Sequence, residues 1–248
     1  FLMISGEFDL SIASIYAVCG FLFAQLSNTG LFSPIAMILA LVVAGLIGAV
    51  NGLITLRGHI PSFIATLGMS MILRGSLLGI TGGSSLYYTG DAVVPVLLSG
   101  AMALNIRPSH FWFIGIVVLF SVILNHSRYG NWVSATGGNR EAARLMGVKT
   151  SRVKLTNFVI SAVLAGFVGC IVSTRFRTIA PSFGTGLELE AIAASVIGGT
   201  LLMGGFGTIV GAALGALLVV TLENYLAEAG SWVTVITGAP LAAAGSNG

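Results

Sequence analysis

Long apolar runs separated by short polar turns make up most of the chain. They cover residues 10–26, 34–56, 60–80, 111–124, 155–174, 187–203 and 209–222. Several approach the roughly 20 residues that a helix needs to cross the hydrocarbon core of a bilayer. An eighth run, 92–106, is interrupted by Pro95 and Gly100 and lies between turn-rich stretches, so it reads as a re-entrant or interfacial piece. A last stretch, 232–244, is too short and too rich in small residues for a span. The pattern predicts an all-α integral membrane protein, a polytopic bundle of about seven to eight membrane-embedded segments forming one domain over residues 1–248.

Composition strengthens that reading. The chain is 56% hydrophobic and 8% charged, against roughly a quarter charged in soluble domains. A net charge of +3 would fit a nucleic-acid binder only if the charge formed a surface, and here it is concentrated in one loop. Arg128, Arg140, Arg144, Lys149, Arg152 and Lys154, six of the eleven basic residues, fall within residues 126–154, where acidic residues are nearly absent. The positive-inside bias makes that loop cytoplasmic. The turn at Arg57 and His59 then lies on the same side, and Arg175 and Arg177 lie on the far side.

Glycine spacing points to helix packing. Gly207, Gly211 and Gly215 recur every four residues, as do Ala44, Gly48 and Gly52. Such spacing puts the missing side chains on one helical face, where a second backbone can approach. Gly198, Gly199, Gly204 and Gly205 instead predict a helix break, whose freed backbone groups must face protein or water. Gly205, Gly207 and Gly211 have the outline of a dinucleotide fingerprint but lack the preceding strand and the acidic ribose ligand.

Polar residues within apolar runs need partners, because an unpaired charge there costs at least a few kcal/mol. Asp9 fits a helix cap, and Arg74 and Glu188 fit a cap or the lipid boundary. Asn51, in a small-residue stripe, suits an interhelical hydrogen bond first and a solute contact second. Asn51, Thr66, Glu188 and Glu190 are the polar candidates for a translocation pathway. Cys19 and Cys170 sit in apolar runs without metal-ligand spacing, and His59, His110 and His126 are far apart near span ends, so neither metal nor cofactor is expected. No GxSxG, HExxH or GxxxxGK[ST] motif is present. Energy for any uphill transport must come from elsewhere.

The basic loop itself holds a short predicted helix. Asn139 can cap it, Glu141 suits its first turn, and Gly147 suits its end. Ala142, Leu145 and Met146 then share one face, and Arg140 and Arg144 another. A helix of about seven residues is unstable alone. It needs a groove to lie in, whereas simple contact with anionic headgroups would need charge without a defined helix.

Residues 136–148 (TGGNREAARLMGV) resemble the cytoplasmic motif of permease subunits of ribose-type ABC sugar importers. Three other segments agree in order: Gly6-Glu-Phe-Asp-Leu-Ser-Ile12, then Asn51-Gly-Leu with Ile60-Pro-Ser-Phe-Ile-Ala-Thr-Leu-Gly68, then Glu188-Leu-Glu-Ala-Ile-Ala-Ala-Ser-Val-Ile-Gly-Gly199. The resemblance implies a multi-pass permease of the bacterial inner membrane, driven by a separate ATP-binding cassette ATPase and fed by a periplasmic or extracellular sugar-binding protein. It implies pairing with a second permease copy or paralogue. It makes 126–154 a coupling loop and Asn139, Arg140, Glu141, Ala142, Ala143, Arg144, Leu145, Met146 and Gly147 its ATPase-docking residues. The first spans and the last span of that pattern are missing, so a fragment truncated at both ends is expected. The alternatives are a permease for branched-chain amino acids or nucleosides, an ion-coupled secondary transporter, and a non-transporting membrane scaffold. The second needs intramembrane acidic or histidine relays, and the third leaves the capped basic loop unexplained.

Overall fold

The computed structural model describes residues 1–100 and 107–237. The C-terminal part of the 92–106 run, and most of the 232–244 stretch, lie outside them. The helices are α1 (Ile12–Asn28), α2 (Ser33–Gly58), α3 (Ser62–Thr81), α4 (Val93–Ser99), α5 (Pro108–His126), α6 (Arg128–Gly138), α7 (Arg140–Leu145), α8 (Thr150–Phe176), α9 (Leu187–Ile197) and α10 (Ile209–Thr237). Two-residue strands β1 (Leu86–Tyr87) and β2 (Thr178–Ile179) pair antiparallel on the far side.

Among the described residues, α2, α3, α5, α8 and α10 are long and apolar enough to cross a membrane. The remaining predicted runs hold shorter helices. The first run begins as irregular backbone and becomes helical only at Ile12. The 187–203 run stops being helical after Ile197 and turns at Gly198 and Gly199. The bundle is therefore polytopic and all-helical, with two discontinuous elements rather than a uniform set of spans.

Close backbone approach fixes the frame. A Cβ on Gly48 would meet Phe158 O and Ala162 Cβ at 2.6 Å, one on Gly52 would meet Leu155, and one on Gly166 would meet Ala44. This antiparallel register puts the C-terminal end of α2 beside the N-terminal end of α8, on the basic-loop side. Gly166 and Gly169 of the same helix face Cys19 and Gly20 of α1, and Ser11 at the start of α1 bonds Asn51 near the end of α2, so α1 runs parallel to α8. The central cluster lies between these three helices, with Ile15, Cys19, Phe23, Ala44, Ala162 and Cys170 wholly buried. Both cysteines are free thiols.

The far side is pinned by Asp91. Its Oδ2 accepts from Ser33 N–H at 2.7 Å and its Oδ1 from the Ser33 hydroxyl and from Val93 N–H. One carboxylate thus caps both α2 and α4, and these donors hold it below the usual carboxylate range.

Gly215 and Gly68 separate packing from helix propensity. A Cβ at Gly215 would lie 2.0 Å from Ala194 O, whereas nothing lies within 4 Å at Gly68. Alanine in an exposed helix interior gains up to about 1 kcal/mol over glycine, while overpacking costs about 1–3 kcal/mol. Gly68→Ala should raise the unfolding temperature in detergent and Gly215→Ala should lower it; the same sign for both would refute this account of the α9 and α10 contact.

Candidate functional site

α7 is defined at both ends by its own sequence. Asn139 is extended (φ −153°, ψ 101°) and its Oδ1 accepts from Ala142 N–H at 2.9 Å, satisfying a donor that the first turn cannot. At the other end Gly147 takes φ +86°. Its N–H bonds Arg144 O, and Val148 N–H bonds Ala143 O, both at 3.0 Å. These are the two bonds of a Schellman stop, which needs the left-handed residue that glycine supplies without strain.

The helix is held from beneath by two small contacts. Ala143 is buried, and Val148 packs against the cluster of Ile4, Leu124, Val133 and Val153. Ala142, Arg140, Arg144 and Gly147 are exposed, and Leu145 and Met146 are 79% and 86% exposed. Arg144 and Glu141 pair at 3.2 Å on the surface, an arrangement worth at most about 1 kcal/mol. The face shared by Ala142, Leu145 and Met146 is apolar and uncovered in this chain.

The preceding helix α6 was not expected. Its sequence, RYGNWVSATGG, has three glycines and little helix propensity. Ser127 caps it by accepting from Gly130 N–H at 3.1 Å, and Gly130, Val133 and Thr136 are buried. Tertiary contact overrides propensity, and the spacing of Tyr129, Val133 and Thr136 was the available signal. At the end of α6 three backbones meet. A Cβ on Gly137 would lie 1.8 Å from Ile4 O and 2.6 Å from Gly205 N, and Gly205 N–H donates to Ile4 O at 2.8 Å.

Residues 1–11 form the irregular half of the first discontinuous element. Side chains supply their backbone partners. Phe8 N–H donates to the Ser62 hydroxyl at 3.1 Å and Leu10 N–H to the Thr66 hydroxyl at 3.0 Å. Asp9 Oδ1 accepts from Ser11 N–H and from its hydroxyl, and Asn51 Nδ2 donates to the same hydroxyl at 2.7 Å. Non-helical backbone at membrane depth requires such internal partners.

The four pathway candidates fall in different places. Asn51 and Thr66 are fully buried and hold residues 9–11. Glu188 and Glu190 stand in the first turn of α9, and Glu190 lines an apolar cleft of about 290 Å³ with Tyr16. A second cleft, of about 300 Å³, brings together Asp9, Asn157, Ser161, Ser195, Thr200 and Thr208 among apolar residues. None of the four candidates lines it. The packing glycines Gly48, Gly52, Gly211 and Gly215 sit at backbone contacts inside helices. Gly207 lies before α10, facing Ile4 and Thr200. Ser62, Glu7, Asn157 and Tyr129 received no individual role from the sequence, and Lys154 was counted only as loop charge. Among the described residues no group of three His, Cys, Asp or Glu residues is placed to hold a metal.

A family model for the permease component of branched-chain amino acid transport systems matches residues 1–245. The chain belongs to this permease family. The permease is 37% identical to the ribose import permease protein RbsC of Escherichia coli K12 over 227 residues, 90% of this chain and 70% of that protein. It is 34% identical to the autoinducer 2 import system permease protein LsrC of Enterobacter sp. strain 638 over 229 residues, 90% of this chain and 65% of the relative. The RbsC of Haemophilus influenzae is 32% identical over 229 residues, 91% of this chain and 71% of its own. No solved structure matches. The permease is a multi-pass protein of the bacterial inner membrane, and its part in import is that of a transport subunit.

The cap on α7 gives a local test. Replacing an N-cap asparagine by alanine costs about 1 kcal/mol, which corresponds to about fivefold in an opening equilibrium. In Asn139→Ala the amides of Ala142 and Ala143 should exchange with deuterium about fivefold faster, while Asn139→Asp leaves them near the parent rate. Equal exchange in all three proteins would show that the cap does not hold the helix.

Proposed function

We propose that this chain is the membrane-spanning permease subunit of an ATP-driven importer of a sugar, with ribose the first candidate. The reading is carried by one observation, the exposed apolar face of α7 on a helix closed at both ends. A helix of six residues does not persist by itself. Here the cap, the Schellman stop, buried Ala143 and half-buried Val148 hold it in shape before any partner arrives, which lowers the ordering cost of binding. A chain without a phosphate loop needs that partner to hydrolyse ATP. A cassette ATPase with an apolar, acid-rimmed groove suits Ala142, Leu145 and Met146 flanked by Arg140 and Arg144.

In this reading closure of the ATPase pair displaces α7, and rigid glycine-packed helices turn that displacement into alternating exposure of the cleft of about 300 Å³. A periplasmic binding protein delivers the solute and a second permease copy or paralogue completes the pathway. The ribose and autoinducer 2 permeases among its relatives support a small polyhydroxylated solute. The likeness covers 70% of the E. coli ribose permease. Asn51 and Thr66 act here as anchors of the irregular segment, and the cleft at Ser161, Ser195 and Thr208 is the better candidate for solute contact.

Two substitutions test docking. Leu145→Asp with Met146→Asp should reduce co-purification of the ATPase about tenfold or more, with the permease still folded and inserted. Gly147→Val should strain the stop by about 1–2 kcal/mol and lower ribose uptake more than ATP hydrolysis. Unchanged ATPase recovery from the double variant would exclude α7 as the docking element.

A further inference from the structure

Residues 4–9 lie between the basic loop and the membrane core, and α8 grips them through two side chains one helical turn apart. Lys154 Nζ is 2.5 Å from Glu7 Oε1, and the two side chains are only 8% and 13% exposed. Asn157 Nδ2 donates to the Ser5 hydroxyl at 3.0 Å, while its Oδ1 accepts from the Tyr129 hydroxyl of α6 at 2.7 Å. On the α3 side the neutral hydroxyl of Ser62 holds Phe8 N–H within the segment, and that of Thr66 holds Leu10 N–H just beyond it. Charge-assisted hydrogen bonds are about twice as strong as neutral ones. When α8 and α3 part, the segment should therefore follow α8.

The path from α7 to Lys154 is short and stiff. Gly147 and Val148 close the Schellman stop, Thr150 N–H bonds Val148 O, and α8 begins at Thr150. Lys154 stands one turn inside it. Beyond Glu7 come Phe8 and Asp9, which line the cleft of about 300 Å³. Stability alone is a poor reason for this pair, since buried ion pairs are often matched or bettered by uncharged residues of similar volume. Directional positioning is the property that an uncharged pair lacks.

We propose that Glu7 and Lys154 are positioning residues for coupling, an ion pair that ties displacement of α7 to the segment 4–9 and so to the wall of the cleft. The inference rests on the docking reading of α7. In the transporter, Lys154 is then a transmission element rather than part of the basic surface formed by its neighbours.

The test reads movement rather than transport. Cys19 and Cys170 are buried, so Phe8→Cys introduces the thiol that a polar maleimide reaches in the permease and ATPase complex in proteoliposomes. Adding a non-hydrolysable ATP analogue should change its labelling rate about fivefold or more in the otherwise unaltered chain. In Glu7→Gln with Lys154→Met the change should fall within about twofold, with the ATPase still bound. The exchanged pair, Glu7→Lys with Lys154→Glu, should restore it; should that pair not assemble, Lys154→Arg serves as the variant that retains the response. A full nucleotide response in Glu7→Gln with Lys154→Met overturns the proposal, as does an unresponsive thiol in the unaltered chain. Failure of the ATPase to co-purify with the unaltered chain overturns the docking reading and this inference together, and is distinguished by the missing ATPase band.

Discussion

Inside a bilayer a peptide group outside a helix has no solvent to bond with, and each one left unsatisfied costs several kcal/mol. Residues 1–11 meet that demand from three directions: hydroxyls of Ser62 and Thr66 on α3, the Asp9 carboxylate that accepts from Ser11 N–H while Asn51 of α2 bonds the Ser11 hydroxyl, and the peptide of Gly205. Much of the remaining arrangement follows. α3 must begin near Phe8, α2 must bring Asn51 to Ser11, and the loop after α9 must come close enough for main chain to bond main chain. Gly137, Gly204 and Gly205 are required there because any Cβ on them would overlap a neighbouring backbone.

The same demand places α7 near an irregular segment that borders a cleft, which is the link the docking proposal uses. An irregular segment held by side-chain hydrogen bonds has more than one set of partners available, whereas a continuous helix has only its own ladder. The proposed function is therefore placed where regular structure fails. α7 offers a rigid, prearranged face, and the segment it adjoins can exchange partners.

Hydropathy made the membrane class and the spans legible, because bilayer thickness sets a length that apolar runs must match. The ends of α7 were equally legible, since Asn139 and Gly147 act through their own backbone neighbours. What sequence did not reveal were roles set by distant partners. Thr66 reads only as a polar residue in an apolar run, and the bond it accepts from Leu10, 56 residues away, is not legible in the sequence. Lys154 reads as one more cytoplasmic charge until Glu7, 147 residues away, is seen beside it. α6 stayed hidden because local propensity opposed it and burial of Val133 and Thr136 decided otherwise.

The seam between α2 and α8 carries a different consequence. Ala44, Gly48 and Gly52 repeat every four residues against Gly166, Ala162 and Leu155, and Ala36 and Ala40 continue the row as fully buried residues. A row of this period matches itself again only after a slide of about 6 Å, four residues at 1.5 Å each. Smaller slides would drive methyl groups into carbonyl oxygens, and the larger one would tear Ser33 from Asp91. Along this seam the two helices have one register, so they move as a single body: whatever displaces α8 carries α2 with it.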